Sequence, residues 1–290
     1  DASALPTWRV SQLAREHVAV ALSGDGADEA LAGYRRHVFF AGEERARSLL
    51  PLPLRRALFG TAGRLYPKAD WAPRPLRAKT TLLALARSSE EAYAEAVGVT
   101  PPHVRAALYG PAMQGVAADH AAENLYYETM RHAPSRSGLD AAQYADIKHW
   151  LPGDILAKTD RTSMAASLEA REPLLDYRLI EFAAALPDDM RVRGGQGKWL
   201  LKKAMEDRLP RDILYRPKMG FVTPVSQWFR GALKDDARAL SRSERLVGSG
   251  WFDGKAIARQ VEDHIAGRSD HGRLIWQLFM LEKSAARLFA

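Results

Sequence analysis

Val18-Ala19-Val20-Ala21-Leu22-Ser23-Gly24-Asp25-Gly26-Ala27-Asp28-Glu29 is the stretch on which the reading of the chain turns. Its five leading apolar residues are too few for a helix and predict a strand buried on both faces, as in parallel sheets. A glycine-punctuated turn follows. Asp28-Glu29-Ala30-Leu31-Ala32 then predicts a helix start, with acids at the positive end of its dipole. That helix is expected to carry Tyr34 and run to about Leu50. Ser23, Gly24 and Asp25 therefore fall at the carboxyl end of a strand, where open α/β sheets bind ligands. Glycines at 24 and 26 let backbone N–H groups approach an anion, and Asp25, Asp28 and Glu29 crowd three carboxylates onto the same edge. Like charges this close call for a cation, and magnesium suits an all-oxygen donor set. Spacing alone equally allows a solvated acidic loop that caps a helix.

Composition narrows the class. The chain has 290 residues, 47% hydrophobic and 27% charged, enough to bury a substantial core. No apolar run approaches the roughly 20 residues that cross a bilayer. The first residues, Asp1-Ala2-Ser3-Ala4-Leu5-Pro6, lack the basic and apolar regions of a signal peptide, so cytoplasmic residence is expected. They also lack an initiator methionine, which points to a processed chain or a piece of a longer one. The absence of cysteine excludes disulfides, thiolate zinc sites and a cysteine nucleophile. Eight histidines, at positions 17, 37, 103, 120, 132, 149, 264 and 271, include no pair at metal-ligand spacing, and there is no Gly-x-Ser-x-Gly elbow. The net charge is +7, yet between Arg35 and Arg87 twelve Arg and Lys face only three acids. Such a patch can hold nucleic acid. Without a zinc finger or an RNA-binding aromatic pattern, a solvated helix face is the simpler expectation.

Further along, Arg55 to Tyr66 reads as a helix and Pro67 to Pro75 as a proline-rich connector. Ser88 with Glu91 forms a capping box, and Thr100 caps a helix opened by Pro101-Pro102. Asp140 is expected to cap a helix that Pro152-Gly153 ends. Asp154 to Arg171 then reads as a single buried helix stopped by Pro173, with Lys158, Asp160, Arg161, Glu169 and Arg171 embedded in it. Buried charges must be paired or face a ligand. Glu169 and Arg171, at the helix end, are the better site candidates. Gly194-Gly195-Gln196-Gly197-Lys198 is no phosphate loop, since Val192 stands where the first glycine belongs and Trp199 follows the lysine. It is expected to be a flexible turn into a helix from Lys198 to Leu209. Lys218, in the loop Arg216-Pro217-Lys218-Met219-Gly220-Phe221, is placed to reach a phosphate. Asp253 caps a helix, and Asp270 begins a last one in which Arg273 to Leu281 is apolar all round and is expected to lock the carboxyl terminus into the core.

Three stretches taken together resemble the synthetase domain of the asparagine synthetase family of ATP-dependent, glutamine-hydrolysing amidotransferases. They are Leu22–Glu29 with Gly33-Tyr34; Lys158-x-Asp160-Arg161-x-Ser163-Met164 through Glu169-Ala170-Arg171-x-Pro173-Leu174-Leu175-Asp176; and Arg193-Gly194-Gly195, Lys198-x-Leu200-Leu201 and Arg216-Pro217-Lys218-x-Gly220-Phe221. The resemblance runs from about Ser3 to Phe229. It implies a carboxylate activated by ATP as an acyl-adenylate, which ammonia made from glutamine by a separate amino-terminal domain then attacks. Ser23 and Gly24, with Gly26 beside them, would contact the nucleotide. Asp25 would serve formation and aminolysis of the adenylate, and Asp28 would hold magnesium. Lys218 would neutralise phosphate charge, and Glu169 would shape the acyl-acceptor side.

The departures matter too. Family members dedicated to asparagine commonly carry Glu where Asp25 stands, which leaves the acyl substrate open. The family's Ser-Gly-Gly-x-Asp-Ser pyrophosphate loop and its cysteine-initiated glutaminase domain are both absent. The expected fold is predominantly α-helical and partly α/β: the C-terminal part of an adenine-nucleotide alpha-hydrolase-like (ATP pyrophosphatase) synthetase domain lacking its first strands. Residues 1–230 would form its incomplete core and 231–290 a helical extension. The expected function is that of an asparagine synthetase-like ligase using ATP and magnesium, inactive as an isolated chain. An exposed strand edge leaves room for a homodimer. The alternatives are an amidotransferase for another carboxylate, or a helical module binding acidic partners through residues 35–87. No membrane or nucleic-acid partner is expected.

Overall fold

The computed structural model describes residues 1–67, 78–118, 120–216 and 223–289. The chain forms two compact units. One comprises Asp1, Pro6–Val97 and Leu125–Met219; the other Ala2–Leu5, Gly98–Asn124 and Gly220–Ala290. The expected 1–230 core is thus drawn differently, because 98–124 joins the C-terminal residues. Both units are predominantly helical, as expected, and the sheet seen among the described residues is a two-stranded parallel one.

The helix Ala4–Arg15, in the first unit from Pro6 onward, leads into strand β1, Val20–Leu22, which pairs with strand β2, Glu169–Arg171. The register is Val20 to Glu169, Ala21 to Ala170 and Leu22 to Arg171. The backbone N–H of Glu169 donates to the Ala19 carbonyl at 2.9 Å, and that of Ser23 to the Arg171 carbonyl at 2.7 Å. The predicted strand is therefore present but short. It is not buried on both faces: Val18, Val20 and Leu22 are 45%, 39% and 75% exposed. Ala19 is exposed as well and Ala21 alone of the five is half-buried, which is the pattern of a thinly covered pair rather than a core strand.

β2 replaces the end of a predicted helix. From Gly138 to Ala165 the chain is continuously helical, in the segments Gly138–Ala145, Asp146–Leu156 and Ala157–Ala165. Ser137 caps it, accepting the Asp140 N–H at 3.1 Å, so Asp140 is not the cap. Pro152-Gly153 does not end it. The middle segment has wide π-type turns, which give a proline ring room where a tight α turn would press it against a carbonyl. Termination comes instead after Ala165, where the Ser163 carbonyl accepts N–H groups from Ala166 and Leu168. Ser167 takes a left-handed conformation (φ 58°), and buried Leu168 pins the turn into β2. Glu169 and Arg171 therefore lie on a strand, not at a helix end. Nor are the charges of the segment buried: Asp160 and Arg161 are exposed, and Lys158 pairs with Asp1 at 3.3 Å. Its inward positions are Thr159 and Ser163.

The helix expected from Asp28 to Leu50 is also divided. Ala27–Ala30 is followed by a break in which Ala32 is left-handed (φ 54°), and Arg35–Arg47 resumes. The capping box holds: Ser88 N–H donates to Glu91 at 2.9 Å and Glu91 N–H to Ser88 Oγ at 3.2 Å. Phe40, Tyr93, Met130, Ala141, Ala142 and Ala145 form the core beneath. Three of the segment's basic side chains are engaged within the unit. Arg36 pairs with Asp146, Arg47 with Glu43 and Glu44, and buried Arg55 donates to the carbonyls of Leu50, Leu85 and Arg87. Most of the expected proline-rich connector lies outside the described residues.

The second unit packs Leu108, Phe229, Leu246, Ile257, Val261, Ile275 and Leu278 into one core. Asp253 caps the helix Gly254–Ile265 as expected, accepting the Ala256 N–H at 2.9 Å. The last helix, Gly272–Leu288, is one-sided rather than apolar all round in its packing. It buries Leu274, Ile275, Leu278 and Ala285 while leaving Met280 and Leu281 exposed.

Candidate active site

The corner at the end of β1 is built by short-range hydrogen bonds. Ser23 Oγ donates to Asp25 Oδ2 at 3.0 Å and accepts the Asp25 N–H at 3.3 Å. Thr159 Oγ1, from the long helix, donates to the same Oδ2 at 2.8 Å. Two hydroxyls thus converge on one carboxylate oxygen and fix the plane of the group, while Oδ1 takes no part in these bonds. Gly24 is exposed, and a Cβ there would meet no atom within 4 Å. Gly26 is different: it is left-handed (φ 90°), and a Cβ would lie 2.0 Å from Leu175 Cδ2. Packing on the chain's own leucine requires that glycine, whatever it does for a ligand.

The three carboxylates of the motif do not share one edge. Asp25 faces the hydroxyls. Asp28 Oδ1 lies 3.0 Å from Lys198 Nζ. Glu29 turns into the core, where Tyr34 donates to it at 2.6 Å and Trp150 in turn donates to Tyr34 at 3.2 Å. Burial is the main reason that Glu29 is pushed above the usual carboxylate range, against the opposing Tyr34 hydrogen bond. Among the described residues no three His, Cys, Asp or Glu side chains converge as a metal site. A magnesium ion therefore does not fit this corner as it is folded: one of its carboxylates is in the core and another already holds an ammonium group.

The turn that supplies the ammonium is fixed rather than flexible. Arg193 and Gln196 exchange backbone hydrogen bonds at 3.0 Å, and the Arg193 guanidinium stacks 3.9 Å over the Trp199 ring. Lys198 N–H donates to the Leu31 carbonyl at 3.0 Å.

Glu169 begins β2, opposite Val20, and accepts from Arg171 at 2.8 Å on the exposed face. Ser23 follows the other end of the pair, about 7–10 Å further along the strand direction at ~3.3 Å per residue. The carboxyl that shares electrostatics with Asp25 is instead Glu172. Burial raises its pKa first, and the charges of Asp25 and Asp160 add to the shift. Lys218 lies outside the described residues. Sequence reasoning missed Thr159, Lys198 and Glu172. Thr159 is a neutral helix residue without a motif, Lys198 belongs to a stretch that carries the resemblance but has no site role assigned from sequence, and Glu172 stands one residue past the candidate pair Glu169 and Arg171.

Behind the corner lies a buried polar cluster, also unforeseen. Fully buried Asp146 accepts from Arg36 at 2.7 Å, Tyr93 at 2.7 Å and His37 Nε2 at 2.8 Å. Burial lowers the pKa of His37, keeping it neutral, and its Nδ1 has no hydrogen-bond partner among the described residues. A neutral ring with its proton on Nε2 satisfies both facts, leaving Arg36 to balance the Asp146 charge.

The family model for asparagine synthase matches residues 1–286. The chain is 30% identical over 286 residues to asparagine synthetase [glutamine-hydrolyzing] 1 of Bacillus subtilis, covering 97% of this chain and 42% of that protein. It is 34% identical over 291 residues to a putative asparagine synthetase [glutamine-hydrolyzing] of Mycobacterium bovis, covering 97% of this chain and 41% of that protein. A Bos taurus asparagine synthetase matches at 36% over 132 residues, 40% of this chain and 23% of that protein. The chain thus spans about two fifths of the length of the relatives that it matches throughout. No solved structure matches it significantly. With the corner of β1, the 158–176 segment and the 193–201 turn all inside the matched region, the chain belongs to the asparagine synthase family.

Proposed function

We propose that this chain is the amide-forming part of an ATP-dependent, asparagine synthetase-like ligase, working in the cytoplasm as part of a longer polypeptide. In this reading a substrate carboxylate attacks the α-phosphorus of ATP. An acyl-adenylate forms and pyrophosphate leaves. Ammonia, supplied by a glutaminase domain, then attacks the acyl carbon; AMP departs and the new amide loses a proton. The observation that carries the reading is Asp25, at the carboxyl end of β1, with one oxygen fixed by Ser23 and Thr159 at 3.0 and 2.8 Å. A carboxylate so oriented has its other oxygen available to take the proton from the attacking amine. Ser23 and Gly24 would face the nucleotide and Gly26 would keep the turn. Lys218 would neutralise charge on the phosphates, and Glu169 would shape the acyl-acceptor side. Asp28 is proposed to face the phosphate end. Because magnesium does not fit Asp28 as it is now paired, no step is routed through the ion.

The short parallel pair is read as the remnant of an adenine-nucleotide alpha-hydrolase-like layer. Aspartate is the default substrate, although the shorter Asp25 side chain leaves room for another carboxylate. The rival reading, a module binding acidic partners through residues 35–87, loses support because Arg36, Arg47 and Arg55 are already engaged internally. The test is ATP–pyrophosphate exchange by the gene product that carries this chain, assayed with aspartate and with a panel of other carboxylates. Exchange that depends on one carboxylate is expected. Exchange with none of them would remove the reading.

A further inference from the structure

We propose that Lys198 is a built-in counter-ion which keeps a bare divalent cation off the Asp28 carboxylate, so that a cation reaches Asp28 only together with a polyanionic ligand. The pair is semi-enclosed: the side chains of Lys198 and Asp28 are 24% and 19% exposed, with Nζ and Oδ1 3.0 Å apart. Its seat is specific. Lys198 holds a left-handed backbone conformation (φ 55°, ψ 34°), which glycine or asparagine adopts readily and lysine seldom does. The neighbouring Gly197 lies so close to the Ala32 carbonyl that a Cβ would sit 2.1 Å from the oxygen. At Gly33 a Cβ would lie 2.0 Å from Asp28 Oδ1 and 2.2 Å from Lys198 Cε. Two bare α-carbons and one unfavourable backbone conformation thus serve to seat the Lys198 ammonium beside the Asp28 carboxylate.

The electrostatic consequence is direct. A divalent ion approaching Asp28 meets a carboxylate whose charge is already balanced, and must displace an ammonium with no other partner to offer it. An anion such as pyrophosphate changes this, because it gives the ammonium a second partner and brings negative charge that favours the metal. The inference uses the proposed function only in naming that anion; the exclusion of a bare cation stands on the pair itself.

The test is titration with Mn2+ alone, counting free ion by electron paramagnetic resonance. The proteins are the wild-type chain, Lys198→Asn, Asp28→Asn and the double variant, with folding checked by circular dichroism. Asn suits the left-handed site and removes the charge; Lys198→Gly serves equally if Asn does not fold. Wild type and Asp28→Asn are expected to leave Mn2+ free. Lys198→Asn is expected to bind it about tenfold more tightly, a gain lost in the double variant. Lys198→Arg, keeping the charge, should behave as wild type. Asp28-dependent Mn2+ binding by the wild type overturns the proposal, as does a Lys198→Asn protein no better than wild type or one whose gain survives Asp28→Asn. Because no nucleotide or carboxylate is present, these outcomes are independent of whether the amide-forming reading stands.

Discussion

Thr159 carries more of this account than its chemistry suggests. Its hydroxyl ties the long helix to Asp25 Oδ2, at 2.8 Å. Replacing Thr159 by Val keeps the shape and removes the donor, leaving that oxygen to Ser23 alone. The loss should cost about 1.5–3 kcal/mol of stability by denaturant titration, as for hydrogen bonds to charged groups, and Thr159→Ser should recover most of it. At the same scale, His37 sets a pH limb. Burial holds its folded pKa below the ordinary histidine value, whereas in the unfolded chain it protonates normally. The unfolded state therefore binds more protons below about pH 6.5, and stability present at neutral pH is lost as pH falls. Asp146, whose pKa is lowered chiefly by its His37 hydrogen bond against the penalty of burial, extends the loss below the ordinary carboxylate range. Guanidinium denaturation at pH 7.5 and 5.5 should show the first drop, and His37→Gln should flatten it. Site chemistry was legible in the residue types of 23–28, but not in the partners. Nothing in the sequence says that Glu29 turns inward to Tyr34, or that Asp28 meets a lysine far along the chain.

Elements were read well where the signal is local. The Ser88–Glu91 box and the Asp253 cap follow from residues three or four apart, and both occur. Boundaries set by distant contacts were misread. Pro152 does not break its helix because the turns around it widen, and the segment predicted as helix at 169–171 is drawn into a strand by pairing with 20–22. Helical propensity gives way there to a sheet partner well over a hundred residues away in sequence. The same junction offers a prediction. Ser167 is left-handed without being glycine, so Ser167→Gly should raise stability by roughly 0.5–1 kcal/mol, read as an increase in denaturation midpoint. A decrease would mean that the Ser167 side chain holds the turn.

For the whole molecule, composition and motif order gave a predominantly helical chain of the right family, while the grouping of residues into units could not be read from them. The second unit joins 98–124 to the C-terminal helices through contacts such as the pairing of Tyr109 with Phe252, which leave no periodic trace. Its core is tight. Ile257 and Phe229 are fully buried, so Ile257→Ala should destabilise that unit by about 2–5 kcal/mol through lost contacts and the cavity left behind. Calorimetry would resolve this, and a second transition that stays unshifted would show that the two units melt separately.

The central claim is that the Asp25 corner performs amide-forming chemistry, and Asp25→Asn in the gene product that carries this chain addresses it most directly. Ammonia-dependent amide formation is expected to fall at least about a hundredfold, the scale of a lost acid–base group, while circular dichroism and carboxylate-dependent ATP–pyrophosphate exchange, which involves no amine, stay as in the wild type. Amide formation that continues undiminished in the folded variant would contradict the account.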